Sequence, residues 1–124
     1  MSSRPTFTPY QVITAGNMAT TIYSAVTIIK MLSMISYSLT WTGTSPVGTI
    51  NVQVSNDYSQ NSDGSVKTAG TWTNLPLSAT ATVSGSTGTG FIDLDTLAAY
   101  AIRLQYVASS GTGSLNAIIS CKVA

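Results

Sequence analysis

The sequence predicts an all-β, single-domain antiparallel β-sandwich of about eight strands, with a jelly roll as the first-choice topology. Three observations carry this expectation. Apolar and polar residues alternate strictly in several separate runs, which places successive side chains on opposite faces of a strand. Clusters of Gly, Pro, Asn, Asp and Ser interrupt those runs roughly every 8 to 15 residues. No apolar spacing of helical period competes with them. An immunoglobulin-like sandwich is the second choice, although the paired cysteines of its antibody form are missing.

Residues 1–18 read as an extended N-terminal arm, and residues 19–124 as the sandwich domain. Pro5 and Pro9 remove two backbone donors and favour extended structure, while Phe7, Tyr10, Val12 and Ile13 give the segment apolar surface to bury. These six residues are the candidate partner contacts. A first edge strand packed on its own domain is the alternative reading of the same segment.

The next stretch, residues 22–35, is apolar but shorter than the ~20 residues of a membrane span. Lys30 in its middle would cost roughly 2.5 to 3.5 kcal/mol there. Two consecutive buried strands explain it better. Ile35, Tyr37, Leu39 and Trp41 then alternate with Ser36, Ser38 and Thr40, and Ile50, Val52 and Val54 alternate with Asn51, Gln53 and Ser55. Weaker strands are expected at 20–29, 71–75, 79–84 and 90–94, the last followed by a short helical turn at 96–100.

Tyr100, Ile102, Leu104 and Tyr106 share one face of the following strand. Leu115, Ala117, Ile119, Cys121 and Val123 share one face of the last. Ile118 breaks the polar face of that strand, as a residue that meets a partner would. Turns are expected at 43–48, 85–90 and 109–113, and a long polar loop at 56–70.

Charged residues make up 7% of the chain against about 25% in an average soluble protein, so Ser, Thr, Gly and Asn must form the surface. The net charge of +1 lets copies approach closely and favours association, so a homo-oligomer is expected. Arg4, Lys30, Lys67, Arg103 and Lys122 form no cluster. Neither direct nucleic-acid binding nor attachment to a membrane surface is expected. The single cysteine, Cys121, allows no intrachain disulfide, and the N-terminus lacks the pattern of a secretory signal.

With no histidine and no glutamate, the chain lacks the usual general base and the commonest transition-metal ligand. We expect no enzyme activity and no cofactor. Asp93 and Asp95 share a face, but turn formation and helix capping are more economical roles than paired-carboxylate catalysis. The segment Asn61-Ser62-Asp63-Gly64 starts like a calcium loop but has no terminal glutamate, and Asp-Gly is an ordinary turn dipeptide. The glycines of 85–90 lack the lysine of a phosphate loop and read as a flexible hairpin. Among the aromatic residues, Trp41 is in phase with the core. Tyr58 and Trp72 border the polar loop and are the candidates for an exposed contact, with closure of the core by Trp72 as the alternative.

One set of features supports a resemblance. Val52-Gln-Val-Ser-Asn-Asp57 precedes a polar loop, which leads into Gly70-Thr-Trp72 and Leu75-Pro76-Leu77. Phe91-Ile-Asp-Leu94, Ala101-Ile-Arg103-Leu-Gln-Tyr106 and a Gly-Thr-Gly-Ser segment follow. Over about residues 50 to 122 this pattern resembles small virion structural proteins of tailed bacteriophages and, more distantly, discoidin-like β-sandwich modules. The phage resemblance implies a decoration or cement protein, made in the host cytoplasm and seated on the outer capsid surface. Its partner there would be the major capsid protein or another virion protein. The discoidin-like side implies instead a glycan- or host-surface-binding module of a virion or tail.

Overall fold

A computed structural model describes residues 9–29, 34–75, 81–94 and 99–122. Two 22-residue strands, β4 (Met34–Ser55) and β10 (Ala101–Lys122), organise it, paired antiparallel from Ala101↔Ser55 to Lys122↔Met34. The other elements are β1 (Tyr10–Asn17), β2 (Ile22–Tyr23), β3 (Thr27–Ile28), β5 (Ser59–Gln60), β6 (Val66–Thr68), β7 (Thr73–Asn74), β8 (Ala81–Val83) and β9 (Thr87–Leu94).

Each long strand unites two runs that the sequence pattern separates by a turn. The ladder continues through 43–48 and 109–113, with register shifts between Ala108 and Ser110 and between Ser110 and Thr112. Such bulges bend a ribbon without ending it. The buried residues record the bend. Trp41 and Ile50, like Tyr106 and Leu115, are an odd number of positions apart, so a regular strand would point them to opposite faces, yet all four are buried. An irregularity in each strand keeps the same ribbon face inward on both sides of the corner. Gly111 is essential to it: its φ is +79°, and a Cβ there would lie 2.1 Å from the Ser45 carbonyl oxygen.

The corner divides the sheet into two layers. The first has the order β9, β4, β10, β1; in the second, β7 and β8 flank β4 while β2 and β3 flank β10. Cut at their corners, the strands form eight segments: first pairs with last, second with seventh, third with sixth and fourth with fifth. The two halves of the β4–β10 ladder join these hairpin pairs. This is the jelly roll expected from the alternating pattern. The inner faces of both layers supply one core, in which Tyr37, Leu39, Leu115 and Ile119 of the first meet Val52, Ile102, Leu104 and Tyr106 of the second. Gly88, opposite Trp41, makes room for that indole, because a Cβ would come within 2.3 Å of the ring.

The N-terminal segment departs from the expected arm. From Tyr10 onward it is the first edge strand, paired with β10 from Tyr10↔Ile119 to Asn17↔Ser114. Val12 and Ile13 are 7% and 4% exposed and belong to the domain's own core. Two register shifts, after Gln11 and after Ile13, break the period-2 pattern and hide this strand in the sequence. The Asn116 side-chain oxygen accepts the Ala15 N–H at 2.9 Å and Gln11 Nε2 at 3.0 Å, which satisfies the bulged edge. Pro5, Phe7, Asp95, residues 96–98 of the expected helical turn and the Cys121 side chain lie outside what is described.

Candidate binding surfaces

The outward face of the first layer is a grid set by register. Thr42 lies between Thr87 and Ser114, Thr40 between Thr89 and Asn116, and Ser36 between Asp93 and Ser120. The row of Ser38 differs: Ser38 separates Phe91, 66% exposed, from Ile118, 42% exposed. Two apolar side chains therefore flank a small hydroxyl among rows that are polar from Ser36 to Thr42. Ile118 breaks the polar face as its sequence position indicates, and Phe91 supplies the companion that sequence reasoning missed. Phe91 lies on β9, an edge strand without a bulge that pairs with β4 alone among the described residues.

The outward face of the second layer carries a different constellation. Alternation along β10 points Arg103 and Gln105 away from the core, opposite Gln53 and Asn51 of β4. β2 brings Tyr23 opposite Gln105, and β7 brings Asn74 opposite Gln53. The loop between β6 and β7 returns Trp72 over this face. The Arg103 guanidinium consequently sits between two rings, 4.5 Å from the Tyr23 centroid and 4.3 Å from that of Trp72.

Hydrogen bonds tie the stack to an amide ladder. Arg103 Nε donates to Gln53 Oε1 at 2.8 Å, and Gln53 Nε2 donates to Asn74 Oδ1 at 3.0 Å. Gln105 Oε1 accepts from Asn51 Nδ2 at 3.0 Å, while Gln105 Nε2 donates to the Tyr23 hydroxyl at 3.3 Å. Burial pulls the Arg103 guanidinium below its ordinary pKa, and the Tyr23 hydroxyl opposes that shift.

The structure brings together the two aromatic residues singled out in the sequence, but only one is accessible. Tyr58 and Trp72 have ring centroids 5.7 Å apart at 56°. Tyr58 is 5% exposed, a correction to its expected role as an exposed loop contact, because Trp72 covers it and Gln60 Nε2 donates to its hydroxyl at 3.0 Å. Trp72 is half-buried, with Nε1 donating to the Ala69 carbonyl at 2.9 Å. Tyr23 and Arg103 complete the surface. An arginine aligned with outward polar residues gives no sequence signal that two rings enclose it.

The proposed arm contacts separate. Val12 and Ile13 are core residues and unavailable to a partner. Tyr10 is partly exposed, but its hydroxyl lies 2.7 Å from Thr27 Oγ1 and joins the two layers. Pro9 is exposed. Asp63 serves as a turn residue, accepting from the Ser65 N–H at 3.0 Å and from Ser65 Oγ at 2.6 Å. Among the described residues no three His, Cys, Asp or Glu side chains converge on a metal position, and no helix is long and apolar enough to cross a membrane.

No protein-family model matches this chain, and no curated sequence matches it. A solved structure does: the SPBc2 prophage-derived protein YomS, 12% identical, with a TM-score of 0.51. The likeness covers 97% of this chain and 96% of that one. The Arthrobacter globiformis T6 isomalto-dextranase complexed with panose matches 91% of this chain and 23% of its own at 14% identity. Its TM-score of 0.37 is too low to bear on fold or function. What the chain shares with the prophage-derived protein is its fold, over nearly the full length of both.

Proposed function

We propose that this chain is a structural component of a bacteriophage particle, a decoration or cement protein that packs on major capsid subunits at the outer surface. The observation that carries this reading is the outward face of the first layer. Its Ser/Thr grid is almost free of charge and presents Phe91 and Ile118 on either side of Ser38. Desolvating hydroxyls and two apolar side chains costs far less than desolvating ions, so such a plane suits lasting packing against protein. The β9 edge beside it, which pairs with β4 alone among the described residues, offers its outer backbone groups to a partner strand. Support also comes from the full-length likeness to a prophage-derived protein and from the absence of histidine and glutamate in the sequence.

Capsids assembled without this protein test the reading. Added protein is expected to bind them and raise their resistance to heat, while the paired substitution Phe91→Ser, Ile118→Ser abolishes binding and leaves the domain folded by circular dichroism. Failure of the unmodified protein to bind would refute the assignment. Undiminished binding by the double variant would move the contact to another face.

A further inference from the structure

We propose that the outward face of the second layer is a binding site for an acidic saccharide, with Arg103 taking the carboxylate and the Tyr23 ring packing the sugar. This lies on the opposite layer from the proposed docking plane and does not rest on it. Three features point to the ligand class. Arg103 is oriented by the Tyr23 and Trp72 rings, over both of which its guanidinium lies, and through Nε, which donates to Gln53. Its terminal nitrogens make no hydrogen bond to any described residue, and no carboxylate is among the groups acting on it. A pre-positioned, partly desolvated cation with no counter-charge among the described residues calls for an anion, and the planar fork matches a carboxylate.

The second feature is aromatic. Tyr23 is 53% exposed, and Arg103 occupies only one of its ring faces, so aromatic surface remains for the C–H face of a sugar. The third is the amide ladder. Asn51, Asn74 and Gln105 place directional donors and acceptors on the same plane, beside the Tyr23 hydroxyl, where they match the hydroxyl groups of a pyranose. Rings, amides and one guanidinium together fit a hexuronate better than a neutral sugar, which leaves the charge unmet, or a bare anion, which leaves the rings unused.

Titration calorimetry with an oligogalacturonate, a neutral hexose oligosaccharide of equal length, and acetate tests the proposal. The acidic oligosaccharide is expected to bind about tenfold or more tightly than the neutral one, and acetate to give no measurable heat. Arg103→Gln should erase the preference for acid. Tyr23→Ala should weaken acidic binding while the preference remains. If Arg103→Gln fails to fold, Arg103→Lys, which keeps the charge and loses the fork, is expected to bind the acidic ligand more weakly. Equal binding of acidic and neutral oligosaccharides, no binding of either, or unchanged binding by the arginine variants would each overturn the site and leave Arg103 as a clamp for the loop above it.

Discussion

Gly111 and Gly64 share a left-handed backbone, with φ of +79° and +89°, and differ in what surrounds them. A Cβ at Gly64 meets nothing within 4 Å, whereas one at Gly111 lies 2.1 Å from the Ser45 backbone oxygen. Gly64→Ala therefore carries only the conformational penalty, about 1 to 2 kcal/mol. Gly111→Ala adds a clash with backbone that cannot rotate away, and about 3 kcal/mol or more is expected in total. Urea unfolding of both variants checks this, and equal losses would mean that the corner is loose. The candidate site likewise turns on spatial neighbours. Trp72 stands out in the sequence because it follows a polar loop, but Arg103 is one polar residue in an alternating strand. Its partners Tyr23 and Trp72 come from distant segments, so only the folded chain shows the sandwich of rings. Tyr58 misleads for the same reason: its loop is polar, yet its ring lies beneath Trp72.

The loop from Asn56 to Trp72 is held at its base by a single carboxylate. Asp57 Oδ1 accepts the Thr71 N–H at 2.7 Å and Ser55 Oγ at 2.8 Å, and the Thr71 bond is the main cause of its lowered pKa. A folded value below the unfolded one means that this tether is complete above the unfolded pKa and fails as pH falls through the folded value. Hydrogen-exchange protection of the Thr71 amide should therefore drop below about pH 4, with Trp72 loosening alongside it. Asp57→Asn should give weaker protection without that pH step; a step of the same size in the variant would assign it to another group. Other elements show what a local pattern can reveal. The alternating runs around Tyr37, Val52, Leu104 and Ala117 are strands with the expected faces inward. The glycine-rich segments between them are bends inside continuous ladders, because a bulged corner and a hairpin draw on the same residue types. β1 escapes the pattern altogether, since two bulges scramble its period.

At the scale of the whole molecule, a jelly roll must protect the outer edges of both layers. In the second layer the edge strands beside β10 are only two residues long, and Ser24 fills the gap between them by donating its N–H to the Leu104 carbonyl and accepting the Leu104 N–H at its Oγ. In the first layer β1 covers β10, and its bulges make the exposed edge a poor template for another strand. From Tyr10 onward the N-terminal region is therefore part of the sandwich. Removing residues 1–8 tests the arm: loss of capsid binding at an unchanged unfolding midpoint would assign docking to those residues. Removal through Asn17 should behave differently. It takes Val12 and Ile13 from the core, at about 1.5 to 3 kcal/mol each, and uncovers the β10 ladder over Ser114–Ile119. The longer truncation is expected to unfold at lower denaturant and to self-associate through the bared edge, read by sedimentation at increasing concentration. A stable, monomeric product would show that β1 is dispensable and return that segment to the role of an arm.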